Sequence, residues 1–173
     1  MSKVDQSIIN FLLYENGSDY LGIASAQLPD LSFLNQTVAG AGIGGNIEAP
    51  ILGHIDAMTL TLSFRTLTEH SYKLTAPREH NIDLRVAQQE EDNVAGTLSA
   101  KSVKHVLVVI PKSLKGGNVT PAAPADASGE YAVRYWATYI DGEKKLELDP
   151  LNFICFVDDT DYLATVRKAL GKQ

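Results

Sequence analysis

Cysteine is almost missing from this sequence: Cys155 is the one thiol among 173 residues, which excludes an internal disulfide framework. It lies in the apolar run Phe153-Ile-Cys-Phe-Val157, where a buried, inert thiol is expected and redox chemistry is not. Long apolar runs are missing as well. Met1 leads into Ser2, Lys3, Val4 and Asp5 without the stretch of a secretory signal or a membrane span, so cytoplasmic synthesis without membrane anchoring is expected. Positive charge is in deficit, with 15 Lys and Arg against 21 Asp and Glu, a net charge of −6 and no basic cluster. Wrapping the outside of DNA depends on clustered Lys and Arg, so that class is excluded. No Gly-x-Ser-x-Gly elbow and no Cys/His pairing occurs, so a nucleophilic enzyme has no support. His54, His70, His80 and His105 are too scattered for a zinc spacing. Glu79-His80, or His54 with Asp56, could meet in space, but surface histidines are the expected reading.

What is present is extended structure. Tyr131 to Ile140 is rich in aromatic and β-branched residues, and Asp141-Gly142 supplies the positive φ angles of a type I′ turn, so a hairpin is predicted here. On the returning strand Leu146, Leu148 and Leu151 alternate with Lys145, Glu147 and Asp149 until Pro150 removes a ladder donor. Phe153 to Val157 is apolar on both faces and predicts a strand covered on both sides. Asp158-Asp159-Thr160-Asp161 then offers N-cap oxygens for a C-terminal helix with Tyr162, Leu163, Val166, Ala169 and Leu170 on one stripe.

Upstream, Ile8 to Leu13, the turn Asn16-Gly17 and the return Tyr20 to Ala24 predict an opening hairpin. From Gln27 to Gly53 the pattern dissolves among Pro29, Asp30, Asn35, Pro50 and several glycines, which predicts a long loop. Asp56 to Arg65 alternates cleanly. Met58, Leu60, Leu62 and Phe64 mark a core face, and Thr59, Thr61, Ser63 and Arg65 a wet one. A helical turn or two over Leu67 to Leu74, closed by Pro77, precedes a half-buried strand with Ile82, Leu84 and Val86. Gln88 to Asn93 reads as a polar turn, Val94 to Lys104 as extended, and Val106 to Ile110 as the most apolar strand, ending at Pro111. A second long loop is predicted over residues 112–129. The whole of 1–173 reads as one domain, an all-β sandwich or barrel with a flanking C-terminal helix.

Three motifs resemble chemistry without supporting it. Gly40-Ala-Gly-Ile-Gly-Gly45 satisfies G-x-G-x-x-G, but no strong strand precedes it and Asn46 to Pro50 cannot open the required helix, so an interface-forming or flexible loop is expected, not a nucleotide site. Asp158, Asp159 and Asp161 lack the glycine and distal glutamate of a calcium loop, and helix capping accounts for them better than a metal. Tyr131, Tyr135 and Tyr139 on one strand face, with Trp136 on the other, could stack bases. Without neighbouring Lys and Arg they read as core and interface. No cofactor is expected. At least six half-buried strands with few edge-blocking prolines leave sheet edges that a neighbouring subunit can pair.

The order of these motifs resembles the major tail tube protein of contractile-tailed bacteriophages, or of a phage-tail-like bacteriocin. The likeness is carried by Ala39-Gly-Ala-Gly-Ile-Gly-Gly45, Ala49-Pro50 and the alternating strand Ala57 to Arg65. It continues in the hairpin Ile140-Asp-Gly-Glu143, Leu146-Glu-Leu-Asp149, Asn152 and the capped C-terminal helix. The resemblance implies a structural, non-enzymatic role: hexameric rings stacked into the inner tube of a contractile tail, a conduit for DNA ejection or a puncturing needle. It implies partners in the chain itself, the tail sheath protein, the tape measure protein and the baseplate hub, with DNA passing through the lumen without specific binding. The particle would be assembled in the bacterial host from cytoplasmic protein. Leu34, Ala39, Gly40, Gly42, Ile43, Gly44, Gly45 and Asn46 are expected at the contact between rings. Thr59, Thr61, Ser63 and Arg65 are expected to face the lumen, and Asp141 with Gly142 to form the hairpin turn. Two alternatives are a type VI secretion tube protein and, from a different class, a monomeric β-barrel binding a small ligand between its sheets.

Overall fold

The computed structural model describes residues 2–21 and 25–172. In chain order the elements are β1 (Lys3–Glu15), β2 (Asp19–Tyr20), β3 (Ser25–Gln27), β4 (Phe33–Val38), β5 (Ile47–Ile55), β6 (Met58–Phe64), α1 (Glu69–Lys73), β7 (His80–Asp92), β8 (Thr97–Lys115), β9 (Ala127–Ile140), β10 (Glu143–Asp149), β11 (Ile154–Val157), β12 (Thr160–Asp161) and α2 (Ala164–Ala169). The fold is mainly β with a short C-terminal helix, as the alternating segments require.

Ten strands form one antiparallel sheet in the order β12-β11-β10-β9-β8-β7-β1-β2, with β6 on β9 and β3 on β6. β8 accompanies β9 over its whole length, while the other edge of β9 is shared. Ala127 to Val133 pair with β6, and Trp136 to Ile140 pair with β10. Where the partner changes, Val108 opposes Tyr135 and Val109 opposes Val133, so Arg134 is a bulge residue that breaks the alternation of β9. Through this branch the sheet folds over, and Ala26 and Leu28 come to line one small cavity with Phe11, Leu84 and Val86 of β1 and β7. The core lies in the fold. Met58, Leu60, Leu62 and Phe64 of β6 pack in one cluster with Leu13, Ile82, Leu84, Leu107, Val109 and Trp136. α1 and Leu74 close one end.

Several expectations are corrected. Residues 27–53 are not a loop: β4 and β5 pair with each other in a separate two-stranded sheet. Both faces of that ribbon are largely exposed, so burial imposes no period of two on its sequence, and Pro50 is tolerated because each strand of a ribbon keeps an unpaired edge. The loop predicted over 112–129 shrinks to residues 116–126. β8 runs through Pro111 to Lys115, aided by a register shift between Pro111 and Ser113. Gln88 to Asp92 continue β7 and the turn lies beyond them. This ribbon runs past the core with both faces wet, so its residues are polar without being a turn.

The bulge at Arg134 also overturns the grouping of tyrosines. Tyr131 is in the core with Trp136, and only Tyr135 and Tyr139 share the half-exposed face. At the C-terminus Asp158 and Asp159 have φ angles of 46° and 65° and turn the chain into β12, so they cap no helix. α2 begins later, after Leu163, and of the predicted stripe Leu163 is buried, Val166 is partly buried against the core, and Tyr162, Ala169 and Leu170 stay exposed. In the Phe153 to Val157 run Cys155 is buried as expected, but Ile154, Phe156 and Val157 are half-open, so the strand is not covered on both faces. His54 and His70 are at the surface; His80 and His105 are buried. Burial holds the His105 imidazole below its ordinary value, and its Nδ1 lies 2.8 Å from Thr138 Oγ1. The opening hairpin forms with Asn16 and Gly17 both at positive φ. Gly22, Ile23 and Ala24 of its predicted return lie outside the described residues.

Candidate assembly surfaces

Three surfaces stand outside the core. The first is the β4–β5 arm. Its register runs from Phe33 opposite Ile55 at the root to Val38 opposite Ile47 at the far end, which places Ala39, Gly40, Gly42, Ile43, Gly44, Gly45 and Asn46 together at the exposed tip. The tip turns through a hydrogen bond from the Ile43 N–H to the Gly40 carbonyl at 3.2 Å. Side chains built at Gly40, Gly42, Gly44 or Gly45 would meet nothing within 4 Å, so no close approach within the chain demands these glycines. Leu34 is half-buried further down the arm. Leu31, Phe33, Val38, Ile43 and Ile51 are exposed, as are Ile47 at 54% and Leu52 at 56%. The root is fixed. Ile55 packs on the core, and Gly53, at φ +62°, lies so close to Leu163 that an added Cβ would sit 2.4 Å from its Cδ2. Only glycine fits there, and through it the arm is braced against the segment that opens α2.

The second surface is the free edge of β1. β7 pairs with it from Lys3 to Glu15, whereas on the other side, among the described residues, β2 pairs with Tyr14 and Glu15 and the Leu21 N–H donates to the Leu13 carbonyl, leaving Lys3 to Leu12 uncovered. Val4, Leu12, Ile8 at 62% and Ile9 at 53% are exposed along this strand. Sequence reasoning placed Ile8 and Ile9 in a strand and missed their setting. Neighbouring apolar residues without alternation are the signal of a strand whose two faces both await cover.

The third is the outward face of β6. Thr59, Thr61 and Ser63 are half-buried between the buried core residues, and Arg65 is exposed just past the strand. Their cross-strand partners continue the polarity. Ser25, Ser63 and Ser128 form one row, Gln27, Thr61 and Glu130 the next, and Thr59 stands opposite Ala132. Lys112 Nζ donates to Thr59 Oγ1 at 3.3 Å. The result is a polar face of hydroxyl, amide and carboxyl groups with Lys112 and Arg65 at its margin.

Beyond the bulge, on the same non-core side of β9, lies a charged lattice. Glu147 accepts from Tyr135 Oη at 3.1 Å and from Lys144 Nζ at 2.5 Å, and Lys144 lies over the Phe156 ring. Burial first, then the Glu147 carboxylate, raise the Tyr135 hydroxyl pKa. Asp161 accepts from Arg167 Nη2 at 2.5 Å, which holds its carboxyl below the ordinary range, and it also accepts the Leu163 N–H. Asp158, Asp159 and Asp161 therefore do not converge, and among the described residues no group of three His, Cys, Asp or Glu is placed to hold a metal. Asp141 and Gly142 form the predicted turn with φ angles of 49° and 84°. Asp141 does more than turn the chain: its Oδ1 accepts the Ser102 N–H at 3.0 Å, and its own N–H reaches the Ser102 carbonyl at 2.8 Å, stitching the hairpin to β8.

A family model described as phage tail tube protein FII matches residues 5–171. No curated protein matches the chain. Among solved structures the chain is similar to the sheath/tube terminator of an extracellular contractile injection system, PVC, in the extended state. That match has a TM-score of 0.54 and 15% identity, and covers 76% of this chain and 94% of that one. It is likewise similar to a chain of the PVC sheath-tube complex in the extended state, with a TM-score of 0.53 and 16% identity, covering 75% of this chain and 88% of that one. At such identities the likeness is one of fold.

Proposed function

The chain belongs to the phage tail tube protein FII family, and from that premise we propose how this subunit of a contractile tail builds its tube. Subunits close head to tail into rings, hexameric by resemblance to the family, and the rings stack into a continuous ring-shaped β-barrel. The arm supplies the contact between rings through Leu34 and the tip residues Ala39, Gly40, Gly42, Ile43, Gly44, Gly45 and Asn46. The free edge of β1 supplies the lateral pairing. Thr59, Thr61, Ser63 and Arg65 line the lumen.

The observation that carries this reading is the arm. A two-stranded ribbon is marginal in water on its own, and this one exposes six large apolar side chains, with Leu31 exposed just before it. Burying them against a neighbour contributes roughly 1.5 to 3 kcal/mol per fully covered side chain. The small polar groups around Thr61, together with the net acidic charge, support a lumen that lets DNA slide without holding it. On this reading the salt-bridged patch and α2 are left to meet a sheath. A sheath as partner is supported by the printed description of a similar structure as a sheath-tube complex. The tape measure protein, the baseplate hub, DNA as cargo and synthesis in the host cytoplasm rest on the family resemblance.

Deleting residues 39–46 tests the assignment. A folded protein with an unchanged β-type circular dichroism spectrum that makes no tubes in electron micrographs is the expected result. Normal tubes from the deletion would refute the arm's role, and loss of fold and tubes together would place the tip within its own subunit.

A further inference from the structure

The end of β1 holds a charge that tube building does not use. Glu15, the last residue of β1, is fully buried, and so is His80, the first residue of β7. His80 Nδ1 lies 2.7 Å from Glu15 Oε1, and His80 Nε2 lies 3.0 Å from the Ala76 carbonyl oxygen. Both neighbours are acceptors. A neutral imidazole has one N–H to give, so only the doubly protonated ring satisfies both contacts while Glu15 is ionised.

The surroundings keep Glu15 ionised. Arg78 Nη2 donates to Oε1 at 3.3 Å, and Lys73 Nζ lies 3.6 Å from Oε2. Burial pushes this carboxyl up. The hydrogen bond and charge of His80, with the charges of Lys73 and Arg78, outweigh burial and leave it below the ordinary range. The four groups come from four places: Glu15 from β1, Lys73 from α1, Arg78 from the loop after α1, and His80 from β7. α1 has five residues, far too few to persist without tertiary support, and Ser71 and Leu74 bury fully against the body beneath it.

We propose that Glu15, Lys73, Arg78 and His80 form a proton-operated clasp that fastens α1 and residues 74–79 to the root of β1. It is closed while the His80 ring carries both protons and loosened when the ring gives one up. On losing a proton the ring must release either the Ala76 carbonyl or its donated bond to Glu15. The carbonyl then becomes a buried acceptor without a donor, or the carboxylate loses its shortest contact. The sign follows. The clasp holds while the ring donates from both nitrogens and weakens once one proton is lost. In acid, protonation of Glu15 removes the charge on which Lys73 and Arg78 converge. The clasp is a property of the single chain and does not depend on the tube.

Amide hydrogen exchange of the peptide spanning residues 69–79 reads the clasp directly. As the ring passes from two protonated nitrogens to one, followed by its own nitrogen-15 resonances, protection corrected for the intrinsic pH dependence is expected to fall roughly tenfold in the native chain. In His80→Gln, which cannot titrate, protection should be low and independent of pH. Equal pH dependence in both proteins would overturn the clasp. Nitrogen-15 resonances of the His80 ring in the native chain supply a second test that needs no variant. Two protonated ring nitrogens are expected wherever the peptide is protected, and a singly protonated ring in the protected state would overturn the proposal. In Glu15→Gln protection of the same peptide should fall to the level of His80→Gln, and native protection there would separate His80 from Glu15.

Discussion

Replacing Gly53 with alanine attacks the brace between the arm and the C-terminal segment. Two penalties add. The backbone there has φ +62°, and a residue with a Cβ loses roughly 1 to 2 kcal/mol in that left-handed region. The new Cβ would also sit 2.4 to 2.8 Å from three carbons of Leu163, which is buried and must move, a kind of overpacking worth about 1 to 3 kcal/mol. A loss of roughly 2 to 5 kcal/mol is therefore expected, a large part of a domain's stability. Trp136, the sole tryptophan and a buried one, reports unfolding in urea by its fluorescence. The midpoint must be shown independent of protein concentration, so that the subunit and not the assembly is measured. A double-mutant cycle separates the two penalties. In Gly53→Ala with Leu163→Ala the clash disappears while the φ penalty stays, so the pair should be less destabilised than the sum of the singles by about 1 to 3 kcal/mol. A single Gly53→Ala within about 0.5 kcal/mol of the native chain would refute the reasoning. It would mean that the root of the arm slides freely past Leu163.

Thr61→Lys, on the half-buried polar face of β6, should fold normally and still slow DNA passage through assembled tubes. An unfolded variant would put Thr61 in the core. Cys155, buried and with its thiol pKa raised by burial and then by the Asp161 charge, should resist labelling in native protein and react after denaturation; rapid native labelling would expose β11. Asp161→Asn should lower stability by about 1 kcal/mol near neutral pH, and the gap should close in acid. The Asp161 carboxyl is held low mainly by Arg167, so its contribution is present above the unfolded carboxylate value and lost as pH falls through the folded one. An undiminished gap at low pH would exclude the ion pair as its source.

Where a strand buries one face, its sequence could be read. Met58, Leu60, Leu62 and Phe64 alternate because the core lies on one side of β6, and Asp141-Gly142 announces its turn because few residues accept two successive positive φ angles. The β4–β5 arm could not be read this way, since neither of its faces meets the core. The same holds for Gln88 to Asp92, whose polarity reflects a ribbon standing clear of the body. The bulge at Arg134 was equally hidden: a single extra residue moves Tyr131 to the face of Trp136, and nothing in the run of aromatics marks it. Glu15 and His80 stand 65 positions apart, and only the pairing of β1 with β7 brings them together.

The placement of apolar surface carries the last step. A free β1 edge with exposed Ile8 and Ile9 is an aggregation hazard in a monomer, and a two-stranded arm with exposed Ile47 and Leu52 is barely stable there. The two surfaces differ in kind. One is a strand edge that wants a pairing partner, the other a projecting ribbon that wants a bed. Surfaces of different kinds on identical chains are satisfied head to tail, by heterologous contacts that close into rings or run on as filaments, whereas a two-fold dimer pairs a patch with itself. On the proposed reading each liability of the isolated subunit becomes a joint of the tube, lateral at β1 and axial at the arm. Gly42 answers to its own backbone at φ +89°, whereas Gly44 and Gly45, which neither a positive φ nor a neighbour within the chain requires, are then left free for the approach of a neighbour outside it.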